Sequence, residues 1–179
     1  MIATTAALIA SAALSAQLSY RAGGCIQEAP EVGVSEDGAE LRVGLFRPGM
    51  QLLEGGHSSC DLRLDVAVPA QRSFAVQRVT VRALTGLVSP AQESVVDLTG
   101  SFDHTALAGL GRIVAFGPEQ GVFERSADVP AAAEVWSPCG GAHQVNLGID
   151  LASSALLTVD TQTMRFEITY ELAWKDCAE

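Results

Sequence analysis

From Met164 to Lys175 the chain alternates, with Met164, Phe166, Ile168, Tyr170, Leu172 and Trp174 on one side and Arg165, Glu167, Thr169, Glu171 and Lys175 on the other. Successive side chains of an extended strand point to opposite faces, so a period of two over this length specifies a long strand with one buried face. The period recurs. Cys60, Leu62, Leu64, Val66 and Val68 alternate with Asp61, Arg63 and Asp65, and Val145, Leu147, Ile149 and Leu151 alternate with Gln144, Asn146 and Asp150. No helical repeat is sustained beyond the first residues. Strands of this kind belong to antiparallel sheets with one wet face.

Between Phe74 and Ala83 the apolar phase shifts from even positions (Phe74, Val76) to odd ones (Val79, Val81), which predicts a bulge near Gln77 and Arg78. Glu36-Asp37-Gly38 separates two short apolar runs and predicts a hairpin turn, with Gly38 supplying the positive φ. Further short strands are expected around Val95 to Phe102, Arg112 to Phe116, Val122 to Val129, Val135 to Ser137 and Leu156 to Asp160. The expectation is an all-β chain, an antiparallel two-sheet sandwich of about ten strands. With 179 residues, 48% hydrophobic and only 6% aromatic, it fits one domain around a mostly aliphatic core.

Residues 1 to 16 form an uncharged apolar run ending in small residues, as a secretory leader does, with cleavage expected after Ala16 and a single domain over residues 17 to 179. The alternative is an apolar N-terminal arm kept in the mature chain. A leader implies a secreted, extracellular protein, and an even count of four cysteines there implies two disulfides among three connectivities. The preferred pairing joins Cys25 to Cys60 and Cys139 to Cys177, closing loops of roughly 35 to 39 residues worth about 3.5 to 4 kcal/mol each. The rival arrangement places His57, Cys60, Cys139 and His143 around a zinc ion and pairs Cys25 with Cys177. It lacks the close C-x2-C knuckle of most structural zinc sites, so no metal and no cofactor are expected.

A net charge of −10 without a basic cluster would repel phosphate backbones and anionic headgroups, which argues against nucleic-acid partners and, after leader removal, membrane binding. Catalytic signals fail individually. There is no G-x-S-x-G elbow, His57, His104 and His143 are isolated in sequence, and Gly109-Leu110-Gly111-Arg112 lacks the context of a phosphate loop. His104 next to Asp103 reads as a solvated loop residue, and no catalytic residue is assigned. Trp136 and Trp174 each stand three residues before a cysteine, and with His57 and His143 they form the candidate ligand surface. Packing against a disulfide is the competing role for both indoles. Gly55 to Ser59 and Gly140 to Ala142 are the loosest polar segments, a natural binding surface if they share one end of the sandwich.

The motifs Val135-Trp136-Ser137-Pro138-Cys139-Gly140 and Leu172-Ala173-Trp174-Lys175-Asp176-Cys177, supported by Gly24-Cys25, Cys60-Asp61-Leu62-Arg63-Leu64 and Phe116-Gly117-Pro118, resemble the secreted four-cysteine family called domain of unknown function 4360. Ile26, Ser59 and Ala83 depart from its usual residues. The resemblance implies export, disulfides and a β-rich domain. The family lends no activity, and the leader, cysteines and strand pattern leave three function classes: a non-enzymatic structural or binding domain; a self-associating filament or surface-layer subunit built by N-terminal strand addition; and a hydrolase whose residues meet only in space.

Overall fold

The computed structural model describes residues 13–23, 30–45, 51–52, 55–158 and 166–177. In chain order its strands are β1 (Ser15–Gly23), β2 (Glu31–Val34), β3 (Glu40–Leu45), β4 (Gln51–Leu52), β5 (Gly56–Val68), β6 (Arg72–Leu87) and β7 (Glu93–Phe102). They continue with β8 (Thr105–Ala106), β9 (Arg112–Phe116), β10 (Glu119–Asp128), β11 (Gly141–Ser153), β12 (Leu156–Thr158) and β13 (Phe166–Asp176). Thirteen strands among the described residues exceed the expected ten, chiefly because β4 and β8 are ladder fragments too short to show a period and β1 continues the apolar N-terminal run. A 3₁₀ turn at Ala131–Ala133 is the only helical piece among them.

Two antiparallel sheets make the sandwich. Sheet A has six strands in the order β1-β5-β11-β7-β8, with β9 also on β7; sheet B has seven in the order β2-β3-β13-β6-β12-β4, with β10 on β6. The period-two residues meet between them: Leu62, Leu64 and Val66 of β5 and Leu147, Ile149 and Leu151 of β11 from one side, and Val79, Val81, Phe166, Ile168 and Tyr170 from the other, all in one buried cluster. Burying each aliphatic side chain contributes about 1.5 to 3 kcal/mol relative to leaving it in water.

The phase shift in β6 is a bulge. Glu171 pairs with Arg78 and Leu172 with Val76, so Gln77 is the extra residue, and its carbonyl accepts from Val129 instead. The turn at Glu36 to Gly38 also forms as expected. Gly38 has φ 70°, its N–H donates to the Ser35 carbonyl, and the Asp37 carboxylate accepts from Ala39 N and the Ser35 hydroxyl.

One expectation needs correction, and one condition set on the sequence is not met. Val135 to Ser137 is no strand; it is an extended strap tied to the start of β6 by Ser137 N–H to the Phe74 carbonyl and by Phe74 N–H to the Ser137 hydroxyl. Gly55 to Ser59 and Gly140 to Ala142 lie at opposite ends of the sandwich, because β5 and β11 pair antiparallel from Gly56 with Ser153 to Val68 with Gly141. The end of the N-terminal apolar run has strand contacts of its own. Leu14 is buried in the core, and Ser15 and Ala16 pair with Ala67 and Val66. β1 thus fills the edge of its own sheet A.

Candidate functional site

The strap and β13 straddle the beginning of β6, and the Cys139–Cys177 disulfide joins them with Cα atoms 6.1 Å apart. Cys60 is also disulfide-bonded and buried, while the Cys25 end of the expected pairing lies outside the described residues. Oxidation of Cys60 and Cys139 removes the thiolates that the zinc arrangement requires, and the Cys139–Cys177 bond also excludes its Cys25–Cys177 pairing.

The two indoles each stand three residues before a cysteine of that disulfide, and their contacts lie elsewhere. Trp174 lies 5.6 Å from Phe74, donates its Nε1–H to the Gly38 carbonyl at 2.9 Å, and carries the Arg72 guanidinium 4.5 Å above its ring. Lys175 sits 4.2 Å from the Trp136 ring centre. Each indole therefore has a face covered by a cation of its own chain. The two histidines are far apart: His57 is opposite Ala152 at one end of β5, and His143 is opposite Val66 near the other. His143 Nδ1 meets Asp103 Oδ2 at 2.7 Å and its Nε2 meets the Gly140 carbonyl at 2.8 Å. Asp103 thus pairs with His143, not with its neighbour His104. The Gln144 N–H, above all, and then His143 hold the Asp103 carboxyl below the ordinary carboxylate range. The four residues of the expected ligand surface are not brought together.

What the fold does bring together is a row across the outer face of sheet A. Tyr20 of β1 stands opposite Arg63 of β5, Arg63 opposite Asn146 of β11, and Asn146 opposite Ser101 of β7. Arg63 Nε donates to Asn146 Oδ1 at 3.1 Å, and Asn146 Nδ2 donates to Ser101 Oγ at 3.1 Å. The Arg63 guanidinium also lies 5.6 Å from the Tyr20 ring centre, and Tyr20 remains 53% exposed. A bulge at Ser19 shifts the β1 register and aims Tyr20 onto this face.

The neighbouring row explains the depression beside it. Gly148 of β11 sits between Asp61 and Thr99, and a Cβ there would stand 2.4 Å from Thr99 Oγ1, so a larger residue would require Thr99 to change rotamer. The missing side chain leaves a hollow of about 330 Å³ lined by Tyr20, Asp61, Arg63, Thr99, Ser101 and Asn146. Donors, acceptors and a half-exposed aromatic ring thus converge on one hydrogen-bonded hollow.

Sequence reasoning placed Arg63, Asn146 and Gly148 on strands but could not show them as neighbours, because alternation gives the face and not the register between strands. The legible signal was Gly148 interrupting the outward positions of β11, since glycine inside a strand marks a close approach. Tyr20 was hidden just past the apolar N-terminal run.

Among the solved structures that the chain matches are several named as carbohydrate-binding modules. The C-terminal CBM6 of LamC, a marine laminarinase from Zobellia galactanivorans, is 13% identical over 88% of this chain and 98% of its own, with a TM-score of 0.36. TmCBM27, described for specific mannan recognition, is 7% identical over 89% and 88%, with a TM-score of 0.38. The xylan-binding module CBM15 is 11% identical over 92% and 99%, with a TM-score of 0.35. Likenesses at this level transfer no residue and no ligand. No curated protein matches the sequence. The family match is direct: over residues 15–177 the chain matches, and so belongs to, the family described as Domain of unknown function (DUF4360).

Proposed function

We propose that this chain is a non-catalytic, exported binding domain that holds a hydroxyl-rich ligand of the glycan class on the outer face of sheet A. The row Tyr20, Arg63, Asn146 and Ser101, set beside the hollow over Gly148, carries this reading. A sugar ring presents an apolar C–H face, which stacks on an aromatic ring, and hydroxyls that both donate and accept. Tyr20 offers the ring, Arg63 donates, and Asn146 and Ser101 do both. The sheet holds these groups in place before the ligand arrives, so little ordering cost is left to binding.

Two further observations support the same reading. His143 has a carboxylate on one ring nitrogen, as a catalytic dyad would, but its other nitrogen meets the Gly140 carbonyl where a nucleophilic hydroxyl would have to stand. The oxidised Cys139, Cys177 and Cys60 suit a compartment in which disulfides persist, in keeping with the leader-like first residues.

Affinity electrophoresis through gels containing soluble polysaccharides tests the proposal. At least one polysaccharide is expected to retard the protein, with retardation lost in Tyr20→Ala and Asn146→Ala and kept in Thr80→Val on the opposite sheet. Equal retardation of all three variants would place binding elsewhere.

A further inference from the structure

Resting on that glycan-binding reading, we infer that the ligand is a neutral oligosaccharide lying across the strands of sheet A and filling its site at about three sugar units.

The direction follows from the row. Its polar groups come one from each of four adjacent strands, β1, β5, β11 and β7, and so run perpendicular to the strand direction. Along β5 the pattern is different. Arg63 is flanked at its own outward positions by Asp61 and Asp65, so a ligand laid along that strand would meet acid, base and acid with no aromatic surface.

The length follows from the spacing. Four strands span about 14 Å, and each unit of a linear glycan advances by roughly one strand spacing, so three units reach from Tyr20 to Ser101. The row is bounded at both ends: β1 is the edge of the sheet, and beyond Ser101 the path reaches the short β8, where Ala106 offers no side-chain polar group.

The charge follows from what surrounds Arg63. Its guanidinium is already engaged by Asn146 and lies against Tyr20, between the Asp61 and Asp65 carboxylates. Asp97 and Asp150 stand directly opposite one another farther along the same face, and Arg112 is 3.8 Å from Asp97. A uronate, sulfated or phosphorylated sugar would bring a further negative charge into this field, within a chain of net charge −10. Neutral hydroxyls carry no such penalty, and they complement the carboxylates as donors.

Calorimetric titration with neutral gluco-, manno-, galacto- and xylo-oligosaccharides of one to six units, and with oligogalacturonates of the same lengths, tests this. Affinity for one neutral series is expected to rise about tenfold per unit up to three units and then level off, with uronates at least about tenfold weaker. Ser101→Ala is expected to remove the gain from the third unit, so that the variant binds the tri- and disaccharide with equal affinity. If Tyr20→Ala abolishes binding but affinity levels off elsewhere, ignores Ser101 or favours uronates, the face stands and the crosswise, neutral assignment falls. If no oligosaccharide binds, or Tyr20→Ala binds as the parent does, the face itself is wrong.

Discussion

The outer faces of the two sheets are built from the same period of two and end in opposite electrostatic states. On sheet B, Arg78 and Arg82 of β6 stand between acids on both neighbouring strands: Glu167 and Glu171 of β13, Glu124 and Asp128 of β10. Arg78 reaches Asp128 at 2.6 Å and Glu171 at 3.7 Å, Arg82 reaches Glu124 at 3.1 Å, and between them Thr80 shares a hydrogen bond with Ser126 at 2.8 Å. This face satisfies itself. On sheet A the row of Tyr20, Arg63, Asn146 and Ser101 also has internal hydrogen bonds, but the amide, the hydroxyl and the ring keep unused capacity and open onto a hollow. Both faces carry a hollow, about 370 Å³ over the sheet B ladder and about 330 Å³ on sheet A, so the difference is chemical: on sheet B the charges pair with one another, whereas on sheet A an amide, a hydroxyl and a ring keep capacity for a ligand.

The largest expected effect separates aromatic rings that hold the fold from the ring that faces solvent. Trp174→Ala removes a ring packed on Phe74 and a hydrogen bond to the Gly38 carbonyl, and is expected to lower unfolding free energy by about 3 kcal/mol while leaving glycan binding intact. Tyr20→Ala should do the reverse. Chemical denaturation paired with calorimetry reads both, and a Trp174 variant with unchanged stability would return the indole to the list of ligand contacts.

The two arginine environments give the next contrast. Arg63→Met keeps the aliphatic stem and removes the donor to Asn146, so affinity is expected to fall about tenfold, or 1.4 kcal/mol, with little change in stability. Arg82→Met breaks a solvent-exposed pair with Glu124 and is expected to cost about 0.5 kcal/mol of stability, less at high salt, with no loss of affinity. Equal effects of the two substitutions on binding would erase the distinction between the faces.

Much of this fold is legible in the sequence for one reason: burial on one side of a sheet writes itself as alternation. The same physics exposed the bulge, because Gln77 slips the phase of β6 where it adds a residue opposite β13. The binding face is not written that way. Tyr20, Arg63, Ser101 and Asn146 are brought together by three strand registers, each set by the pairing of whole strands, so no local pattern joins them. Trp136 and Trp174 were conspicuous because they precede cysteines, yet Trp174 is tied to Phe74 and the Gly38 carbonyl, and Arg72 and Lys175 lie against the two rings. Conspicuous residue types marked the clamp, and common ones built the face.

Acid tests whether the hairpin tip beside sheet A is held by charge. The Asp103 carboxylate accepts from Gln144 N–H at 2.7 Å and meets His143, which lowers its folded pKa. A lowered carboxyl contributes stability above its unfolded value, about 3.9, and loses it as pH falls through the folded value. Asp103→Asn is therefore expected to lose stability at neutral pH and to flatten the acid limb of the stability profile. An unchanged limb would show that the carboxylate anchors nothing.

The smallest effect concerns the inward side of the strand that carries the sheet B acids. β13 presents Glu167, Thr169 and Glu171 outward in pairs, yet Tyr170 between them buries its hydroxyl without a hydrogen-bond partner. Tyr170→Phe deletes only that oxygen, so it should be neutral or stabilising by about 0.5 kcal/mol, since an unsatisfied buried hydroxyl is a cost that the native ring carries. Burial also pushes the Tyr170 pKa upward. Its unfolded counterpart ionises near pH 10. The folded protein retains the proton there, so stability is full below that value and declines as pH rises from the unfolded pKa toward the folded one. Denaturant titrations between neutral pH and about pH 11 should show this alkaline slope in the parent and a shallower one in Tyr170→Phe. A destabilised Phe variant would mean that the hydroxyl has a partner after all, and that the inner side of β13 is as fully satisfied as its outer one.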